Sequence, residues 1–303
     1  MVKFRKYTKI NEELGISKDV QDESLKRIND INKYLSQKQN YKTYYLNGDY
    51  TEPAVYGINL QTNVLLFDDF PVDFILQIYF CNGEDKCNEI AKRVKYPMRF
   101  FFDDNKDLLF VRFPLIRNED FDFDAEDVQI TKSTNPIYGK LSHEIKHAYQ
   151  KAMMLRNSDR EKLLSYRDRK VYDTVTKYAL DNPNGVLSSL MFNVYYMFPV
   201  EITANIEQLY TMTLRNANDI NDALDYVCNS KMYKKIKDIL KDLEYIKGNQ
   251  DTKDKLNILV QPELNRNMDW VIRHLEKGLN FAYKKFRQLE KLLRKKYAEF
   301  QNK

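Results

Sequence analysis

Tyr138-Gly139-Lys140-Leu141-Ser142-His143-Glu144-Ile145-Lys146-His147-Ala148-Tyr149-Gln150 is the stretch from which the rest of the chain can be read. It holds a His-Glu-x-x-His sequence, and residues four apart on a helix lie one above the other on the same face. Imidazoles at 143 and 147 can then close on a single metal ion, with Glu144 beside them to handle a proton. The chain has only three histidines, and two of them are here. The pattern also occurs on ordinary amphipathic helices with both rings in water, so a third ligand is what gives it weight.

Catalytic zinc takes three protein ligands and keeps a fourth position for water. The extended pattern His-Glu-x-x-His-x-x-Gly-x-x-His is absent, because positions 150 and 153 are Gln and Met. The remaining His274 sits far downstream in a charged segment, which turns attention to a carboxylate. The candidate lies in Tyr195-Tyr196-Met197-Phe198-Pro199-Val200-Glu201-Ile202-Thr203-Ala204-Asn205. Pro199 suits the first position of a helix, where its missing N–H costs nothing, and this puts Glu201 in the first turn. Ala204 is small enough for two helices to approach closely, and Asn205 is placed to orient the carboxylate or a ligand histidine. Glu207, Glu161 and Asp173 are the alternative carboxylates.

His143-Glu144-x-x-His147 followed by Pro199-x-Glu201-x-x-Ala204-Asn205 resembles the gluzincin type of zinc metallopeptidase. The local wording is similar to small zincin-like proteins of bacteriophages and mobile elements of gut Bacteroidetes. The resemblance covers roughly residues 100–210. It implies a His₂Glu zinc site made by His143, His147 and Glu201, with Glu144 as general base. It also implies an α+β fold with a zincin-like core, a small mixed sheet followed by the two ligand helices. Glu201 follows His147 by 54 positions, more than in the best-known gluzincins. The intervening chain reads as helices over 159–180 and 187–197, with a break at Asp181-Asn-Pro-Asn-Gly185, so it can still return Glu201 to the metal.

Before the motif, five stretches rich in β-branched and aromatic residues read as strands: 55–60, 63–67, 74–80, 98–102 and 108–113. Asp103-Asp104-Asn105-Lys106-Asp107 joins the last two as a hairpin. Its alternating oxygens suggest a calcium loop, but the Gly and closing Glu that such a loop needs are missing. In a zincin the strand nearest the metal offers its free edge to an extended substrate, and 108–113 is the expected one. Residues 18–38 read as a surface helix on Val20, Leu25, Ile28, Ile31 and Leu35. The acidic, Phe-interleaved stretch 118–127 reads as a charged surface loop. Helices are expected at 217–227, 231–247, 251–259 and 264–300. The resulting division is 1–40 as an N-terminal helical segment, 41–215 as the metallopeptidase core and 216–303 as a C-terminal helical region.

Composition sets outer bounds. With 43% hydrophobic and 31% charged residues, the chain is that of a globular protein with ample core. No apolar run approaches the ~18 residues of a membrane span, and no secretory signal is visible, so a cytoplasmic location is expected. Cys81, Cys87 and Cys228 are too few and scattered for a disulfide framework and read as free thiols. Residues 284–303 carry eight Lys or Arg against two Glu, a local excess larger than the whole chain's +5. That stretch reads as the solvated side of an amphipathic helix, with nucleic-acid binding as the alternative.

The expected function is hydrolysis of peptide bonds in a polypeptide substrate. Glu144 takes a proton from the attacking water, and a phenol from Tyr195 or Tyr196 meets the developing oxyanion. Tyr149 and His274 are less favoured candidates for that last role. Two other classes stand beside it: a zincin fold kept as a virion-associated structural or binding module without turnover, and a helical adaptor for nucleic acid.

Overall fold

The structure is a computed structural model that describes residues 16–35, 41–44, 55–82, 99–117, 135–156, 170–176 and 185–301. The acidic stretch 118–127, Glu161, Cys87 and residues 181–184 lie outside the described residues. The fold is α+β, as expected: one helix, a mixed sheet, then helices to the end. It forms two compact units, one of residues 17–152 and one that includes residues 153–303.

The first unit is built on a five-stranded sheet. Helix α1 (Lys18–Leu35) precedes strands β1 (Tyr41–Tyr44), β2 (Val55–Leu66), β3 (Phe70–Asn82), β4 (Arg99–Asp103) and β5 (Leu108–Arg117). Their order across the sheet is β1-β2-β3-β5-β4, antiparallel throughout except for β3 and β5. Successive side chains of a strand point to opposite faces. Val72, Phe74, Leu76 and Ile78 of β3 therefore share one face, and their partners Leu109, Val111 and Phe113 continue it across β5. All seven are buried. Burying one such side chain stabilises by roughly 1.5–3 kcal/mol, so this face is the unit's main source of cohesion.

Three expectations change here. The stretches 55–60 and 63–67 form one strand, because the turn comes at Phe67-Asp68-Asp69 and not at Gln61-Thr62. Phe67 and Asp68 both take positive φ, 53° and 68°. Phe67 is held in that uncommon conformation by its N–H, which donates to Glu23 of α1 at 3.1 Å, and by ring contact with Tyr149. Second, β1 adds a strand that the periodicity does not announce. Third, 108–113 is not an edge: β5 is paired on both sides, and among the described strands the two with a free side are β1 and β4. The 103–107 hairpin is a turn as expected, with the Asn105 N–H donating to Asp103 Oδ1.

Helix α2 (Asn135–Arg156) completes this unit and carries the His-Glu-x-x-His sequence. It starts earlier than the motif requires. Ile137, Leu141, Ile145, Ala148 and Ala152 are its buried stripe, at the three- and four-residue spacing of a helix face.

The second unit is helical: a segment over 170–176, then α3 (Val186–Tyr196), α4 (Pro199–Asn216), α5 (Ile220–Asn229), α6 (Lys231–Gly248), α7 (Gln250–Leu264) and α8 (Met268–Gln301). Asp219, Ser230 and Asn249 cap α5, α6 and α7 with side-chain oxygens. Ser230 and Asn249 are single-residue joints, each ending one helix and starting the next, which folds these helices back on one another. Along α8, Val271, Leu275, Leu279, Ala282, Phe286, Leu289, Leu293 and Tyr297 form the buried stripe that joins them into one core. No helix among the described residues is long and apolar enough to cross a membrane.

Candidate metal centre

On α2 the two histidines stand one turn apart, with His143 Nε2 and His147 Nε2 3.2 Å from each other. Two nitrogens each ~2.05 Å from one tetrahedral zinc ion would be about 3.3 Å apart, so the spacing is that of a shared cation. His147 Nδ1 meets the Gln150 side-chain oxygen at 3.1 Å. An amide oxygen only accepts, which puts the ring proton on Nδ1 and leaves Nε2 with its lone pair for a metal. Gln150 is buried, so this partner is fixed.

Glu144 points to the sheet. Its Oε2 accepts a hydrogen bond from the Phe102 main-chain N–H of β4 at 2.9 Å. Lys140, one turn earlier, lies over the Phe100 ring, and Lys151 reaches the Asp104 carbonyl and the Asp107 carboxylate at the hairpin. Four helical residues advance ~6 Å and two strand residues ~6.8 Å, so α2 and β4 progress together. Helix and free-edge strand are thus held in step, with the Glu144 carboxylate at that edge.

Glu201 is the third member. It stands in the first turn of α4, with Pro199 at the start as read from the sequence, and it is 1% exposed. The first-turn position favours a carboxylate, because the helix presents its positive dipole end there. The ligand atoms of His143, His147 and Glu201 all lie within 4.8 Å of one another. These residues form a candidate metal site, and their donor set of two imidazoles and one carboxylate suits a borderline-soft divalent ion.

The turn that launches α4 is gripped by α8. The Val194 carbonyl accepts from His274 Nε2 at 3.0 Å, and the His274 ring packs on Trp270 and Phe198. At Gly278 an added Cβ would come within 2.6 Å of Met197 Cβ and 2.7 Å of its carbonyl oxygen. Only a residue without a side chain allows that approach. His274 is therefore engaged on the main chain of α3, which replaces the expectation that it meets an oxyanion.

The other sequence candidates separate clearly. Tyr195 is half-buried, its ring against Tyr172 and Phe192. Tyr196 is half-buried against Phe192, and its phenol is pushed to a higher pKa by burial and by the negative charge of Glu201. It stays protonated and able to donate. Tyr149 packs edge-on against Phe67 with Lys146 above its ring, a core role. Asn205 donates to the Glu201 main-chain carbonyl at 2.8 Å and not to the carboxylate. Asp173 is exposed, and Glu207 is fully buried on α4 but not part of the triad.

Two residues were not singled out from the sequence. Tyr172 donates to Glu201 Oε1 at 2.5 Å. Gln150 is the second, and its signal was available: it lies three residues after His147, on the same helix face. Compared with protein families, with curated proteins and with solved structures, the chain matches none.

Proposed function

We propose that the protein is a zinc-dependent peptidase of the gluzincin type, with His143, His147 and Glu201 as ligands and Glu144 as general base. The observation that carries this reading is the convergence of Glu201 on the paired imidazoles from a separate helix. A chance His-x-x-x-His on a surface helix has no reason to meet a buried carboxylate more than fifty residues away. Zinc, when bound, polarises the scissile carbonyl and brings the pKa of water toward ~7.

The remaining chemistry belongs to side chains. Glu144 accepts the proton of the attacking water and later delivers it to the leaving amine. The Phe102 N–H keeps its carboxylate at one place. The phenol of Tyr196 or Tyr195 donates to the oxyanion. Tyr196 is the better supported of the two, since burial and the Glu201 charge keep its proton on. An extended polypeptide is the fitting substrate for β4. In an antiparallel pair, outward and inward groups alternate by residue. The Phe102 N–H faces away from β5 and is taken by Glu144; by the same alternation the Phe102 carbonyl and the main-chain groups of Phe100 face that side, where a further strand would pair.

Glu144→Gln keeps the shape of the site and removes the base. The expected result is a folded protein that retains zinc and no longer cleaves a denatured polypeptide that the parent cleaves. Equal cleavage by the variant would rule the mechanism out. Zinc bound with no cleavage by the parent would favour a zincin fold used for binding alone.

A further inference from the structure

The Glu201 arm of the site has a second part. Tyr172, in the helical segment 170–176, donates its phenol proton to Glu201 Oε1 at 2.5 Å, the length of a charge-assisted bond. Its ring is clamped: Phe198 meets it edge-on at 5.2 Å and 87°, and Tyr195 lies against it at 5.6 Å. Phe198 is also the residue that caps α4, directly before Pro199. One aromatic cluster therefore sets both the start of the Glu201 helix and the direction of the phenol. A carboxylate 1% exposed needs a hydrogen-bond donor to offset its burial, and a donor also fixes its rotamer. Asn205, the residue best placed by sequence for that work, is turned to the main chain.

We propose that Tyr172 is the positioning residue for Glu201, holding the carboxylate in one rotamer and aimed so that the metal meets a ligand already ordered. The inference rests on the metal-site reading above and deepens it. It makes Tyr172 on the Glu201 arm the counterpart of Gln150 on the His147 arm, so that both of these ligands arrive with fixed partners. Tyr172 acts through Glu201 and touches neither substrate nor the reacting atoms in this role.

The test measures Zn²⁺ affinity of the full chain by competition with a chromogenic chelator, for the parent and for Tyr172→Phe. The absorption spectrum of the Co²⁺-loaded proteins and the melting of the metal-free ones are recorded alongside. Tyr172→Phe keeps the ring contacts and removes only the O–H. The expected result is a roughly 10–100-fold weaker affinity, an altered Co²⁺ band and unchanged metal-free melting. Equal affinity and an identical Co²⁺ spectrum would overturn the inference while leaving the site intact. Lower melting with equal affinity would do the same, making Tyr172 a packing residue. A parent that takes up no zinc would remove the site itself, a distinct result. Should Tyr172→Phe fail to fold, Tyr172→Met removes the same O–H with a flexible side chain and is read in the same way.

Discussion

At the scale of single residues, the centre depends on the partners that fix how His147 and Glu201 are presented. His143 and His147 were legible because their spacing alone brings both rings to one face, and Glu201 because Pro199 announces a helix start beside it. Gln150 stood in view three positions after His147, yet by sequence it registered only as the place where a Gly is missing. Tyr172 could not be chosen from among 22 tyrosines, since nothing local to it distinguishes its phenol. Gln150→Leu keeps the side-chain bulk and removes the acceptor for His147 Nδ1. Zinc affinity is expected to fall by roughly 10–100-fold with little loss of secondary structure, read by chelator competition and circular dichroism. Glu144→Gln makes the complementary case: a rate loss on the order of 10²–10⁴ at unchanged zinc content, measured by peptide hydrolysis and metal analysis.

At the scale of elements, the described helices follow the apolar periodicity, and the gaps left between the expected helices at 228–230 and 248–250 contain the joints at Ser230 and Asn249. The sheet was harder. Strand composition reports burial, not neighbours, and 108–113 was expected at the edge because it is the last strand before the His-Glu-x-x-His helix; its place between β3 and β4 is set by long-range pairing. The long β2 was split in reading because Gln61-Thr62 resembles a turn, whereas the turn that forms uses Phe67 in an unusual conformation stabilised from α1. Helix α8 supplies an element-scale prediction. Gly278 admits the close approach to Met197 that seats the turn before α4. Gly278→Ala gains helix propensity but meets backbone and must push α8 outward. A net loss of about 1–3 kcal/mol is expected, with weaker zinc binding because Glu201 moves with that turn, seen in the denaturant midpoint and in metal affinity. A variant as stable as the parent would show that the contact relaxes without consequence.

At the scale of the whole molecule, Lys285 of the basic stretch is buried, while Lys284, Arg287, Lys291, Arg294 and Lys295 lie on the exposed side of α8. Its buried stripe of Phe286, Leu289, Leu293 and Tyr297 is fully used in the helical core, and Arg294 is paired with Glu290. A cation bound to the folded chain and not to the unfolded one adds stability by mass action, about 2.7 kcal/mol at a hundredfold excess over the dissociation constant. Thermal melting is therefore expected to shift upward with zinc and back with a chelator, and the shift should vanish in His143→Ala. The most direct measurement of the central claim is zinc per chain, determined for protein purified without added metal. One zinc in the parent and a clear deficit in Glu201→Ala is the result expected of a His143, His147 and Glu201 site; a metal-free parent, or a Glu201→Ala protein that keeps its full zinc, would contradict it.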